Sequence, residues 1–286
     1  GLAILMMAAY HAIWDLNFHG LIEVGIGVDP LWIAVQRAIL AAFLLLVGAG
    51  LGLAHGEGIS WRGFWRREAL LVAAAAGVSL VTWLQFGAYF AYFGVLHAIA
   101  LSSLCALPFV RAPLWLAIGT ALAVLVLPLW TDPLFDTRWL SWIGFFTTTP
   151  ATADLVPMFP WFGVVLIGLA GMRLAKAAPA FTWTSANPAV RFLALAGRWS
   201  LVIYLVHQPL LFGLITPLAN WVNARETARL ESFADECRQS CEATGTAGFC
   251  TAYCACALEL TVRDKLWDAR PEELGGMVAL CTEMAR

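Results

Sequence analysis

The chain has 286 residues, 61% hydrophobic and 13% charged, with a formal net charge of −2 and a mean hydropathy of +0.77. Soluble domains carry roughly a quarter charged residues, so the composition excludes an ordinary water-soluble globule and points to lipid as the solvent. The small negative net charge gives no basis for a nucleic-acid partner or for adsorption on an anionic surface.

Gly1 lies inside an apolar run with neither a basic leader nor a cleavage motif, so the N-terminus reads as trimmed, with the start of the first helix missing. This first span, Gly1 to about Leu16, carries His11 and Asp15 one helical turn apart on one face. A carboxylate in that position can orient an imidazole and raise its basicity, which is what a general base needs; the plainer reading of Asp15 is a cap on the span. The second span, Leu31 to Ala54, is broken only by Arg37, and the loop from His55 to Glu68 holds Arg62, Arg66 and Arg67. Arg37 can equally snorkel outward.

From Ala69 to Val110 there are 42 residues without a charge, about 63 Å as a helix and about twice the hydrocarbon thickness. They must form two spans with a tight turn near Gly87 to Tyr92. Gln85 closes the first of these and His97 opens the second, where Cys105 reads as a small buried hydrophobe. Further spans follow at Ala112 to Trp130 and Leu155 to Met172, with Trp139 to Phe146 between them too short to cross and assigned to the interface or a re-entrant loop. The last span, Phe192 to Asn223, is interrupted by Arg198 and carries His207 and Gln208 just before Pro209, which should bend it.

Half of all charged residues lie beyond Asn223, in a tail with six of the seven cysteines: Cys237, Cys241, Cys250, Cys254, Cys256 and Cys281. An even cluster suits an oxidising compartment. The four-residue spacings favour a helical hairpin joined at Thr244 to Gly248, with Cys237 paired to Cys254 and Cys241 to Cys250, leaving Cys256 for Cys281, although six cysteines allow 15 pairings. A zinc site is the rival reading, against which stands the absence of His from the tail.

Seven basic residues (Arg62, Arg66, Arg67, Arg111, Arg173, Lys176 and Arg191) fall in loops on one side of the spans, and Arg138 alone on the other. The positive-inside rule makes the first side cytoplasmic. The expectation is an all-α polytopic bundle of about seven transmembrane helices over residues 1–223. It sits in the inner (cytoplasmic) membrane with its N-terminus cytoplasmic and a disulfide-stapled helical tail, residues 224–286, outside. The intramembrane polar residues then lie between mid-membrane and the outer surface.

Four blocks resemble bacterial relatives of the catalytic domain of heparan-alpha-glucosaminide N-acetyltransferase. They are Gly1-Leu-Ala-Ile-Leu-Met-Met-Ala-Ala-Tyr-His11 with Trp14-Asp15-Leu16, Phe93-Gly-Val-Leu-His97-Ala-Ile-Ala-Leu-Ser-Ser103, Asp154-Leu-Val-Pro-Met-Phe-Pro-Trp161-Phe-Gly163, and Gly197-Arg-Trp-Ser200-Leu-Val-Ile-Tyr204-Leu-Val-His207-Gln208-Pro209. The wider group of transmembrane acyltransferases marks its first helix by an Arg followed by ten residues and a His; with His11 as that His, the Arg would directly precede Gly1. The cysteine tail lies outside the family pattern.

The resemblance implies transfer of an acetyl or other short acyl group from cytoplasmic acyl-CoA to an amine or hydroxyl of an extracytoplasmic glycan or amino sugar. His11 with Asp15 then serves as base or acyl carrier, and His97, Gln208 and Arg37 are candidate oxyanion donors. Arg62, Arg66, Arg67, Arg173 and Lys176 are candidates for the coenzyme phosphates. Asp154, Trp161, Arg198 and His207 complete the candidate binding set. No metal-ligand spacing or glycine-rich nucleotide loop suggests a metal or nicotinamide cofactor. Partners are then the bilayer, acyl-CoA and the acceptor, with a homodimer compatible with the sequence. A small-solute transporter, or an anchor that displays the tail, is the alternative; the first lacks paired interrupted spans and the second leaves the buried His and Asp unexplained.

Overall fold

A computed structural model describes residues 1–56, 58–177, 187–264, 266–268 and 271–285. These residues form helices and turns, with a single isolated bridge between Phe93 and Leu155 and no named strand among them. The chain divides into two compact units, residues 1–18 with 22–211 and residues 19–21 with 212–286.

The first unit contains α1 (Leu2–Phe18), α2 (Pro30–His55), α3 (Trp61–Phe86), α4 (Val95–Ala106), α5 (Leu114–Val126), α6 (Met158–Ala177), α7 (Pro188–Arg198) and the start of α8 (Ser200–Glu242). Four helical stretches, Pro30–His55, Trp61–Tyr89, Met158–Lys176 and Ser200–Glu242, are long and apolar enough to cross a membrane. Leu2–Phe18, Val95–Val110 and Leu114–Leu129 are apolar but shorter.

Local chemistry sets the element ends. Asp29 accepts from the Leu31 amide ahead of Pro30, capping α2, and Asn187 does the same for α7 through the Ala189 amide ahead of Pro188. α3 stops at Gly87, whose φ of +57° suits glycine, and a 3-10 turn to Tyr89 follows. The charge-free stretch thus turns where its length requires. Arg138 secures the turn that follows α3, donating to Ala88 O at 2.7 Å and lying over the Phe90 and Tyr92 rings.

The expected last span from Phe192 is not one helix. α7 ends at Arg198, Trp199 leaves helical geometry (φ −97°, ψ 14°), and α8 begins at Ser200. The break takes Arg198 out of a span interior and puts it at a helix C-terminus, where a cation meets the exposed carbonyls favourably. α8 then runs through Pro209 and on past Asn223 without interruption.

The core joins α2, α3, α4, α5 and α6 through Leu44, Phe64, Ile99, Val124, Val165 and Leu169. α2 and α6 cross with backbone against backbone. A Cβ on Gly48 would overlap the Val165 carbonyl, and one on Gly168 would overlap the Leu45 carbonyl. Lipid offers no hydrophobic drive between helices, so close approach through small residues supplies the contact instead. A second cluster, Ile4, Met7, Ile39 and Ala196, packs α1 against α2 and α7.

Cys105 does not fit the expectation of a buried hydrophobe. The packed face of α4 is made by Ala98, Ser102, Ser103 and Ala106, and Cys105 lies off it beside Leu104, both exposed.

In the second unit, two disulfides join α8 to α9 (Ala247–Arg263), and α10 (Pro271–Met284) packs on α9. The bridges are Cys237–Cys254, Cys241–Cys250 and Cys256–Cys281, the set that four-residue spacing on two facing helices favours. Ala257, Leu260, Phe233 and Met277 pack around Cys281 as a small core. A module this small gains much of its stability from such cross-links.

Candidate functional site

Side chains of α1 meet side chains near the start of α8 in the first unit. Gly1 meets Gly197 at the start of α1, and ten residues further along each strand of chain His11 meets His207. His11 Nδ1 lies 2.7 Å from His207 Nε2, and the rings stack with centroids 4.9 Å apart.

The tautomers follow from the partners. His207 Nδ1 lies 2.7 Å from Tyr204 O and 3.2 Å from Ile203 O. A carbonyl only accepts, so His207 carries its proton on Nδ1 and leaves Nε2 as an acceptor. His11 must then donate from Nδ1, and the lone pair of the His11 ring sits on Nε2. His11 Nε2 makes no hydrogen bond among the described residues. His11 is half-buried, whereas His207 is 8% exposed.

Asp15, fully buried one turn beyond His11, accepts from Gln208 Nε2 at 2.7 Å. The sequence expectation gave Asp15 the task of orienting the His11 ring; the group seated on His11 Nδ1 is His207, while Asp15 holds Gln208. Gln208 Oε1 is buried and has no hydrogen-bond partner among the described residues. It is left as an unpartnered acceptor, with its amide nitrogen donating to Asp15.

His97 belongs to a second cluster, at the N-terminus of α4. Its Nδ1 accepts from the Gly94 amide at 3.2 Å, and its Nε2 lies 3.3 Å from Ser79 Oγ, which itself donates to Ala91 O. Both ring nitrogens are therefore engaged in closing the α3–α4 turn. Asp154 adds a second cap, its Oδ2 accepting from the Val95 amide at 3.1 Å. Burial pushes the Asp154 carboxyl up to about 6, against the downward pull of that hydrogen bond. Tyr204, one turn before His207, lies within electrostatic reach of Asp154 and packs on the His207 ring at 5.8 Å. Tyr204 thus stands between the two clusters.

A raised carboxyl in the folded state means that the fold binds more protons there than the unfolded chain does. Stability should therefore fall as pH rises from about 4 to about 6, by an amount on the order of 1–3 kcal/mol. Asp154→Asn keeps an oxygen for the Val95 amide and removes the charge. Its melting temperature should lose that pH dependence and exceed the wild-type value above pH 6, as thermal unfolding in detergent across pH 4–8 would reveal. A wild-type curve flat over this range would contradict the assignment.

The basic candidates collect at the end of the bundle where α2 stops and α3 starts. Arg173 Nη1 donates to Phe109 O (2.9 Å) and Ala112 O (2.7 Å), closing the α4–α5 turn. Lys176 reaches Leu53 O at 3.4 Å, and Arg67 reaches Ser103 Oγ at 3.4 Å. Arg62 and Arg66 are exposed in the first turns of α3, where the helix dipole also favours an anion. Glu68, which the sequence reading left in the loop, is buried in α3, as is His55 at the end of α2. Glu68 Oε2 and His55 Nδ1 have no hydrogen-bond partner among the described residues.

Arg37 is exposed on α2, and no hydrogen bond among the described residues joins it to the histidine pair. Trp161 packs partly buried on the core of α6, and Arg198 is exposed. Two contributors escaped the sequence reading: Ser79 and Tyr204. Tyr204 sits three residues before His207, at the spacing that puts two side chains on one helix face. No cluster of His, Cys, Asp and Glu able to hold a metal occurs among the described residues.

The family model described as heparan-alpha-glucosaminide N-acetyltransferase, catalytic, matches residues 1–209. Comparison with curated proteins and with solved structures finds no match.

Proposed function

Because the chain belongs to the heparan-alpha-glucosaminide N-acetyltransferase catalytic family, we propose that it moves an acetyl or other short acyl group from cytoplasmic acyl-CoA to an amine or hydroxyl of an extracytoplasmic glycan or amino sugar. One observation carries this reading: His11, inside an apolar helix, has Nδ1 committed to His207 and Nε2 without a hydrogen-bond partner among the described residues. A neutral imidazole held in one tautomer is the form in which a general base or nucleophile works.

In the direct route, His11 Nε2 takes the proton of the acceptor amine or hydroxyl as that atom attacks the thioester carbonyl. The carbon–sulfur bond breaks and the coenzyme leaves as a thiolate, which recovers the proton. In the two-step route, Nε2 attacks the thioester carbonyl and the coenzyme leaves as a thiolate; the acceptor atom then attacks the acyl carbon, the carbon–nitrogen bond to Nε2 breaks, and the acceptor proton passes through Nε2 to the thiolate. Either route places positive charge on the His11 ring, and the Asp15 carboxylate one turn away favours it. Gln208 Oε1, buried without a hydrogen-bond partner among the described residues, suits an N–H or O–H of the acceptor. Arg62, Arg66 and Arg67 suit the coenzyme phosphates, while Arg173 and Lys176 shape the same end of the bundle through backbone carbonyls.

The accompanying topology has seven crossings, by α1 to α6 and α8, with the shorter α1, α4 and α5 among them. The N-terminus is cytoplasmic, residues 1–223 form the catalytic membrane domain of an inner-membrane protein, and the cysteine tail, residues 224–286, is extracytoplasmic. The concentration of basic residues in alternate loops and the disulfide-bonded tail, which suits an oxidising compartment, support it.

Purified protein should bind acetyl-CoA and transfer label from it to at least one of a panel of amino sugars and glycans. Failure to bind any acyl-CoA would remove the enzyme reading in favour of a transporter or an anchor.

A further inference from the structure

A cleft among the described residues of the second unit is lined by none of the residues proposed for acyl transfer. It is a cleft of about 730 Å³ lined by Trp221, Arg225, Glu226, Arg229, Val262 and Trp267, within the usual size range of ligand sites. Two arginines lie in it, each on a tryptophan face: Arg225 Cζ is 4.5 Å from the Trp221 centroid and Arg229 Cζ is 4.2 Å from that of Trp267. Phe233 meets Trp267 edge-on at 5.6 Å and fixes the second ring. Neither guanidinium makes an ion pair or hydrogen bond among the described residues. A guanidinium stacked on an aromatic face keeps its in-plane N–H edge available, and that edge matches the oxygens of a phosphate.

Where the cleft falls along α8 identifies its occupant. Residues 200–220 contain no charged side chain, the length needed for one crossing. Trp221 follows at once, then Arg225 and Arg229, each a further turn along the same face. Below them on that face Leu214 and Leu218 are exposed, by 64% and 47%. The stripe is apolar, then aromatic, then cationic, in the order acyl chain, interface and headgroup of a phospholipid. Against the two arginines stands one carboxylate, Glu226, so the described lining residues carry one net positive charge, and a headgroup with one net negative charge balances it.

We propose that this cleft binds the phosphodiester headgroup of an anionic phospholipid in the leaflet at the C-terminal end of the α8 span. The lipid's acyl chains lie along Leu218 and Leu214, and Arg225 and Arg229 hold its phosphate oxygens. The site is independent of the acyltransferase reading and survives if that reading fails.

The test uses the full chain, delipidated and returned to equal mixtures of phosphatidylglycerol and phosphatidylcholine, with retained lipid counted by native mass spectrometry. Wild-type protein should retain phosphatidylglycerol preferentially. The R225Q/R229Q variant should lose roughly ten- to thirty-fold of that preference, since each basic residue near a charged headgroup contributes about a factor of five. Arg238→Gln, which disturbs only an exposed pair with Asp235, should leave it unchanged. In wild-type protein, high salt should weaken the preference, a readout that needs no variant to fold. Equal retention of both lipids, a preference unchanged in R225Q/R229Q, or insensitivity to salt would each overturn the proposal. So would displacement of the lipid by an equal concentration of glycerol phosphate, which would make the cleft a site for soluble anions.

Discussion

Replacing His11 by Ala should lower acyl transfer by roughly two to four orders of magnitude, the range expected when general acid-base or nucleophilic help is removed. Acyl-CoA binding should be nearly unchanged, because the basic residues proposed for the coenzyme lie at the end of the bundle where α2 stops and α3 starts. The fold should also persist, since His11 is half-buried and its one ring hydrogen bond is to His207. The measurement is single-turnover transfer from labelled acetyl-CoA, with binding measured separately. Turnover equal to wild type would move the chemistry elsewhere. His97 is then a weak successor, because both its ring nitrogens are occupied at the α4 N-terminus.

The second large effect concerns His207, whose role is to position His11. His207→Phe keeps a stacked ring but removes the acceptor for His11 Nδ1–H. An unpaired buried donor costs about 1–3 kcal/mol, and if that falls on the reacting geometry the rate drops by roughly ten- to a hundred-fold. His207→Gln, whose amide oxygen can accept, should recover part of the loss, which a purely steric role would not predict. The double variant His11→Ala with His207→Phe should be no slower than His11→Ala alone, because residues that act as one unit lose their effects together. Additive losses would show that His207 acts through something other than His11.

Much of the fold was legible because lipid makes its demands on composition. A charge-free run twice the bilayer thickness had to turn, and the chain turns at Gly87, where a positive φ is needed. The tail cysteines were legible for a similar reason: four-residue spacing puts pairs on one helix face, and the structure bridges those faces. Cys105 misled because an apolar membrane helix gives no pattern separating its packed face from its lipid face. The segment from Phe192 misled because an amphipathic helix and a span with one arginine look alike in hydropathy, and only the break at Trp199 separates them.

By itself the sequence determined that this is a helical membrane protein, that His11 and Asp15 share a face of its first helix, and that a cysteine-stapled tail follows its last apolar run. These are consequences of local composition and of helical period, which act within a few turns of chain. Only the tertiary structure decided which polar groups meet. It seats His207 rather than another residue on His11 Nδ1, gives Asp15 to Gln208, and commits His97 to a turn. The partners in the first two contacts are 196 and 193 residues apart, and hydrogen bonds over such separations depend on how α1 and α8 pack. Helical periodicity places a side chain on a face, but the neighbouring helix determines what that face touches.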